Sequence, residues 1–345
     1  MTETSRHPEP GSPDAPAVEL DGLYAGSAQP RPQPGAPPFE VSSDLTADEL
    51  AYESGLELKA RSQWAYARRR FFRHRLAMGS LIVLIGILLC GVFAGRIASY
   101  PFDGIDLNNL NAPPTLKGHH YFGTDQLGRD YFSRVLYGIR TTARVAFLVA
   151  ALSTVLGSLI GAVAGYFGGW IDNLLMRFTD LVLTLPILAV LLVASARLGN
   201  GNQYRVALIL AFLFWTGIAR VVRGIFLSLR EKEYVEAAKA SGSGDLRIIF
   251  RHMLPNSMGP IIVNMTLVTA GAILTEAALS FLGFGIKPPT PALGKLISEG
   301  ETQMQTQWWL VVFPGLTIVA IVMCINFIGD GLRDALDPTQ RRVRA

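Results

Sequence analysis

Six apolar stretches limit what this chain can fold into: residues 76–98, 146–167, 174–196, 206–229, 261–285 and 309–328. A helix needs roughly 20 apolar residues to cross the ~30 Å hydrocarbon core of a bilayer. Lipid offers no water to unpaired backbone groups, so a spanning segment outside a closed barrel has to be helical. Half of the 345 residues are hydrophobic (50%) and the mean hydropathy is +0.32, too apolar for an ordinary soluble domain. The expected fold is an all-α integral membrane protein with six transmembrane helices, over residues 76–338.

Charge follows topology. The net charge of +4 does not point to nucleic acid, because the basic residues are segregated. One group precedes the first run (Lys59, Arg61, Arg68, Arg69, Arg70, Arg73, Arg75). A second surrounds the fourth connection (Arg220, Arg223, Arg230, Lys232, Lys239, Arg247, Arg251), and a third follows the last run (Arg333, Arg341, Arg342, Arg344). The alternate connections carry a thinner set: Lys117, Arg129, Arg134, Arg197, Arg205, Lys287 and Lys295. The positive-inside bias then places both termini and the 231–256 connection in the cytoplasm. Cys90 and Cys324 fall inside apolar runs and read as neither a disulfide nor a metal pair. The polar start of the chain does not fit a cleavable signal peptide.

Residues 1–56 read as a disordered Pro-rich tail, with nine of the twenty prolines in the first 40 positions. Pro34–Pro38 also fits a polyproline ligand, and Asp44–Leu50 a short capped helix. Residues 57–75 form a basic helix in which Trp64, Tyr66, Phe71 and Phe72 interleave with arginines, suited to an interfacial elbow. Residues 339–345 are a short basic tail.

The connection 231–256, EKEYVEAAKASGSGDLRIIFRHMLPN, is a polar island far longer than a turn requires. It reads as two short helices. The first covers about 231–241 and stops at Gly242, which reaches left-handed backbone angles without a Cβ penalty. The second is capped by Ser243 or Asp245 and ended by Pro255. Leu246, Ile249, Phe250 and Met253 recur at helical spacing and form one apolar stripe, with Arg247 and Arg251 on another face. Such an element suits a partner's groove, and equally a helix lying in the membrane interface.

The residues themselves carry a resemblance. Glu236-Ala237-Ala238, Gly242 and Leu254-Pro255 resemble the EAA loop of ABC-importer permeases, EAA-x3-G-x9-I-x-LP, with His252 at the family's Ile position and Met253 beside it. In that family the loop is the coupling helix seated in a cleft of a cytoplasmic ATPase. Gly123-Thr124-Asp125, Gly128-Arg129-Asp130, Ser133-Arg134 and Tyr137-Gly138 resemble the outer-loop signature of C-type dipeptide and oligopeptide permeases. Leu279–Gly285 with Pro288-Pro289, and Asp330–Pro338, resemble further patterns of that branch. The resemblance implies one of two transmembrane subunits of an importer working by alternating access. Its partners would be a homologous permease, two ATPases that bind ATP and Mg, and an extracytoplasmic substrate-binding protein. Di- or oligopeptides are the implied substrate; nickel or an opine fits the same architecture.

Other residues are read physically. Gly157, Gly161 and Gly165 form G-x-x-x-G steps that let helices approach closely. Arg177 and Asp180 lie on one helical face and are expected to neutralise each other, while Arg220 and Arg223 snorkel to the inner interface. Pro186 is expected to kink the third span. Glu276 sits inside an apolar run, so it lines a pathway or makes an interhelical hydrogen bond; Thr275, Asn264 and Asp180 join it as pathway candidates, with Thr266 and Thr269 milder ones on its helix. Asp125, Arg129 and Asp130 are expected to pair locally. His119 and His120 point apart and read as surface histidines, or more remotely as metal ligands. Trp308 and Trp309 read as an outer aromatic belt.

No G-x-x-x-x-G-K-[ST] phosphate loop occurs; Gly294-Lys295 is followed by Leu296. No nucleophile–base set has credible spacing. A non-catalytic membrane subunit is therefore expected, with no cofactor of its own. A secondary transporter would show inverted repeats, which this sequence does not display.

Overall fold

The computed structural model describes residues 63–197 and 202–336, with side chains from 67 onward. The expected Pro-rich tail, the 44–50 helix, the Trp64 and Tyr66 side chains, Asp337, Pro338 and the 339–345 tail lie outside the described residues.

Helix α1 (Gln63–Arg73) meets α2 (Arg75–Val92) at His74, whose Nδ1 accepts the Ala77 N–H at 3.1 Å and so caps α2. A single turn, α3 (Ala94–Ile97), leads into the long loop 98–130. Helix α4 (Tyr131–Phe167) ends at Gly168, where φ is +66°. Helices α5 (Gly169–Thr184), α6 (Ile187–Arg197), α7 (Gln203–Arg230) and α8 (Glu233–Ala240) follow. Helix α9 (Asp245–Phe281) is continuous over 37 residues. Helix α10 (Leu293–Gly300), a 3-10 turn (Glu301–Gln303) and α11 (Trp309–Leu336) complete the described chain.

Five helices, α2, α4, α7, α9 and α11, are long and apolar enough to cross a membrane. The expected third span, 174–196, is not one helix. It is the pair α5 and α6, bent by 84° at Leu185-Pro186. Proline removes a helical N–H and disfavours helical angles in the residue before it, and Leu185 is extended, with ψ 132°. The kink expected at Pro186 is thus a break, and the pair counts as a sixth span only if taken together.

The closest helix pairing joins α4 to α7. A Cβ on Gly157 would meet the Trp215 carbonyl at 2.6 Å, one on Gly161 the Ala219 carbonyl at 2.4 Å, and one on Gly165 the Phe226 Cβ at 2.6 Å. The glycine steps read from the sequence are therefore contact points between backbones. Apolar packing concentrates in three regions. One lies under the outer loop (Tyr131, Ile139, Leu293, Leu310), one around the middle of α7 (Val149, Leu191, Leu210, Leu279), and one at the end of the bundle where α8 docks (Tyr166, Val222, Phe226, Val235, Ile249, Met253).

Candidate functional site

The 231–256 island folds as α8 and the start of α9. Helix α8 stops as the sequence implies. Gly242 has φ +77°, its N–H reaches the Lys239 carbonyl at 2.9 Å, and the Ser243 N–H reaches the Ala238 carbonyl at 3.1 Å. These two bonds form a Schellman motif. Neither Ser243 nor Asp245 caps α9, contrary to expectation: Gly244 occupies the N-cap without a side-chain bond. The Asp245 carboxylate instead accepts the Tyr166 hydroxyl at 2.6 Å, tying the element to the end of α4. Lys239 lies over the same ring at 5.5 Å.

The apolar stripe is split. Ile249 and Met253 are buried with Ile248 and Val235 against Val222 and Phe226. Leu246 and Phe250 are exposed, at 70% and 50%. A stretch of π-helix, Ile248–Met253, causes the division by shifting the register within one turn. It also explains why Pro255 does not end the helix as expected. The Leu254 N–H bonds five residues back to the Ile249 carbonyl, so the widened turn makes room for a ring that would crowd an α-helical carbonyl. Leu246 and Phe250 border an apolar hollow of about 160 Å³ closed by Leu159, Ala162 and Phe167 of α4. Glu236 and Ala237 are exposed, Ala238 and Leu254 half-buried, and Pro255 exposed.

The pathway candidates do not form one cluster. Glu276 is 1% exposed; it accepts the Ser280 hydroxyl at 2.6 Å and the Thr142 hydroxyl of α4 at 3.2 Å. The structure thus gives it the interhelical bond. Thr275, Thr269 and Asn264 bond carbonyls one turn back on α9. Asp180 does not neutralise Arg177: Arg220 of α7 reaches it at 2.5 Å. Arg223 likewise grips both Asp172 oxygens, at 2.5 and 2.6 Å, instead of snorkelling outward. Replacing Glu276 with Ala should lower stability by about 2–4 kcal/mol, through a cavity and two unpaired hydroxyls. Glu276→Gln should cost under about 1 kcal/mol because it fills the same space, its Oε1 accepts one hydroxyl and its Nε2 donates to the other once that hydroxyl turns to accept. Thermal unfolding of the two purified variants in detergent checks this, and equal losses would remove the hydrogen-bonding role.

The outer loop is a locked cap. Asp125 binds Arg129 at 2.7 Å, as expected, and also Arg134 at 2.8 Å; Arg134 continues to Glu299 of α10 at 2.9 Å. Asp130 caps α4 by accepting the Ser133 N–H at 2.8 Å. His120 is not a surface histidine: it is 3% exposed, bonds Asp130 at 2.9 Å and stacks on Tyr100. Exposed His119 has φ +62°. Thr124 bonds the backbone at Asn109 and Ala112. Gly123 has φ +75° and Gly128 φ +71°, and a Cβ on Gly128 would meet the Asp106 carbonyl at 2.0 Å. Trp309 is buried beneath this cap, its Nε1 3.5 Å from the Thr124 carbonyl, so Trp308 alone of the pair is exposed. Asp125→Ala leaves Arg134 buried with only the Glu299 partner and should destabilise the cap by about 3 kcal/mol. Faster cleavage of the 99–130 loop in limited proteolysis would register it.

Residues 157–342 match the family described as the binding-protein-dependent transport system inner membrane component. The chain belongs to this family. Residues 62–114 of the permease also match the N-terminal transmembrane domain of oligopeptide transport permease C. It is 40% identical over 286 residues to the oligopeptide transport system permease protein OppC of Haemophilus influenzae, covering 83% of this chain and 92% of that one. The corresponding Escherichia coli K12 protein is 40% identical over 290 residues, covering 84% and 96%. The dipeptide transport system permease protein DppC of Alkalihalophilus pseudofirmus is 37% identical over 310 residues, covering 90% and 96%.

In this permease the closing motif also has a packing role: a Cβ on Gly331 would sit 2.4 Å from the Ala77 Cβ, so α11 presses on the start of α2. Asp334 pairs with His74 at 3.7 Å. Sequence reasoning missed Glu299, Val235 and Ile248. Glu299 meets its partner 165 positions away and leaves no local signal; Ile248 adjoins the stripe but falls outside an α-helical count.

Proposed function

We propose that this permease is one of two transmembrane subunits of an ATP-driven importer of di- and oligopeptides in the cytoplasmic membrane. Both termini and the 231–256 element face the cytoplasm. A homologous permease, two ATPases binding ATP and Mg, and an extracytoplasmic substrate-binding protein complete the assembly. The chain itself is non-catalytic. The observation that carries this reading is Leu246 and Phe250, exposed on a base that Ile248, Ile249 and Met253 bury in the bundle. An element so held presents apolar surface to a partner, and Leu246 and Phe250 are part of α9 itself.

ATP binding would close the ATPases around Glu236, Ala237, Gly242, Leu246 and Phe250 and reorient the helices for alternating access. That requires the ATPases to bind the two permease states with different free energies. Peptides are preferred over nickel as cargo because the relatives named above are oligopeptide and dipeptide permeases. Co-purification of the complex, followed by uptake of a peptide panel and nickel into proteoliposomes, tests the reading. ATP-dependent uptake of short peptides is expected. Absence of an ATPase, or uptake of nickel alone, would overturn it.

A further inference from the structure

Helices α5 and α7 are joined by two ion pairs whose exposure runs the wrong way for lipid. Helix α7 is 28 residues long, about 42 Å at ~1.5 Å per residue, so centred in a ~30 Å core it overhangs by roughly 6 Å at each end. Arg223 lies seven residues before Arg230 and Arg220 ten, so the Arg220 rung is the deeper one. The shallower rung is doubly bonded, and its Arg223 and Asp172 side chains are 35% and 14% exposed. The deeper rung has one bond, and its Arg220 and Asp180 side chains are 52% and 49% exposed. A charge facing hydrocarbon is costly, increasingly so toward the midplane. Exposure that grows with depth therefore marks a face turned away from hydrocarbon, toward water or the second permease subunit.

A second observation agrees. One turn beyond Asp180, the chain is non-helical at Leu185-Pro186, between α5 and α6. Unwound backbone at membrane depth is tolerated only where protein buries it or water reaches it.

We propose that Asp180 and Arg220 form a binding site for the charged ends of a zwitterionic peptide in an aqueous vestibule open toward the 231–256 end of the permease. A zwitterion crossing this depth needs an anion for its ammonium and a cation for its carboxylate. The single-bonded pair offers both with no net charge, since Asp180 Oδ2 and the other Arg220 donors make no further hydrogen bond among the described residues. The doubly bonded Arg223–Asp172 pair holds the two helices together while the deeper pair exchanges partners. The ligand assignment rests on the peptide reading above; the aqueous vestibule does not.

The test has two arms. In the first, Cys90 and Cys324 are replaced by Ala, and Asp180→Cys or Leu181→Cys is introduced. A charged methanethiosulfonate reagent is then applied to inverted and right-side-out membrane vesicles. Leu181 is 59% exposed on the neighbouring face and serves as the hydrocarbon control. Labelling at position 180 in inverted vesicles, at least ten-fold faster than at 181, is expected. Equal rates, or no labelling at 180, overturn the vestibule. In the second arm, the reconstituted complex imports a dipeptide and its C-terminal amide. Arg220→Gln should reduce uptake of the free acid about ten-fold and of the amide less than two-fold. Equal losses make the pair purely structural and overturn the site. A wild-type complex that imports neither compound overturns the peptide reading and the ligand together, and the labelling arm tells this apart from failure of the vestibule.

Discussion

Reversing the charge at Glu236 is expected to abolish peptide uptake while leaving the permease folded in the membrane. Glu236 is exposed in the first turn of α8, and among the described residues no side-chain bond ties it to the rest of the bundle. Its removal costs the fold little, because the buried base of the element is Val235, Ile248, Ile249 and Met253. A cation at that position would weaken the positive N-terminal end of α8 by a few tenths of a kcal/mol and would oppose any partner surface complementary to a carboxylate. Gly242→Asp attacks the same surface differently. With φ at +77° the new side chain costs about 1 kcal/mol of backbone strain, and it protrudes into open space with no described residue other than its chain neighbours within 4 Å. Both variants should insert and purify at wild-type yield, with uptake reduced at least ten-fold and basal ATP hydrolysis by the assembly retained. Wild-type uptake by either reconstituted variant would end the docking assignment.

Gly161→Leu should be the most damaging single change to the fold. The Cβ alone would come within 2.4 Å of the Ala219 carbonyl and 2.9 Å of the Val222 Cβ. Both atoms belong to α7, one of them backbone, so no rotamer relieves the clash and the helices must separate. Overpacking of this kind costs about 3 kcal/mol or more, and separation would also break the contacts at Gly157 and Gly165. Loss of protein from the membrane, or a fall of several degrees in melting temperature for what remains, is the expected readout. Gly217→Leu on α7 is the control: among the described residues, nothing outside its own helix turn lies within 4 Å of its Cβ, so it should be tolerated. Similar behaviour of the two variants would mean that α4 and α7 do not pack through these glycines.

Much of this architecture is legible in the sequence because lipid simplifies the problem. Apolar runs of the right length become helices, and glycines four apart become contacts, since few alternatives satisfy the backbone in hydrocarbon. The Schellman stop at Gly242 was also readable, because a single residue type fits the angle. Partner choice between charges on different helices was not. Arg177 is the nearer cation to Asp180 along the chain, yet Arg220 takes it from 40 positions away. Pairings of that kind depend on how helices cross, which no local pattern encodes. The π-helical turn was equally invisible: it changes a register by one residue and so divides a stripe that a regular helix would keep whole. His120 and Trp309 are hidden by the fold of the outer loop, which polar composition alone presents as surface.

The unbroken run of α9 has a mechanical consequence. Ile249 and Glu276 are 27 positions apart on one helix, about 40 Å at ~1.5 Å per residue. On the docking reading proposed above, force applied at Phe250 would pass along this helix toward the Thr142–Glu276 bond, crossing two interruptions of regular α-helical bonding, the widened turn at Ile248–Met253 and Pro260. The widened turn lies next to the point of loading. In an ATP-driven assembly its stiffness would set how much of the stroke is transmitted and how much is absorbed, and so the ratio of hydrolysis events to transport events.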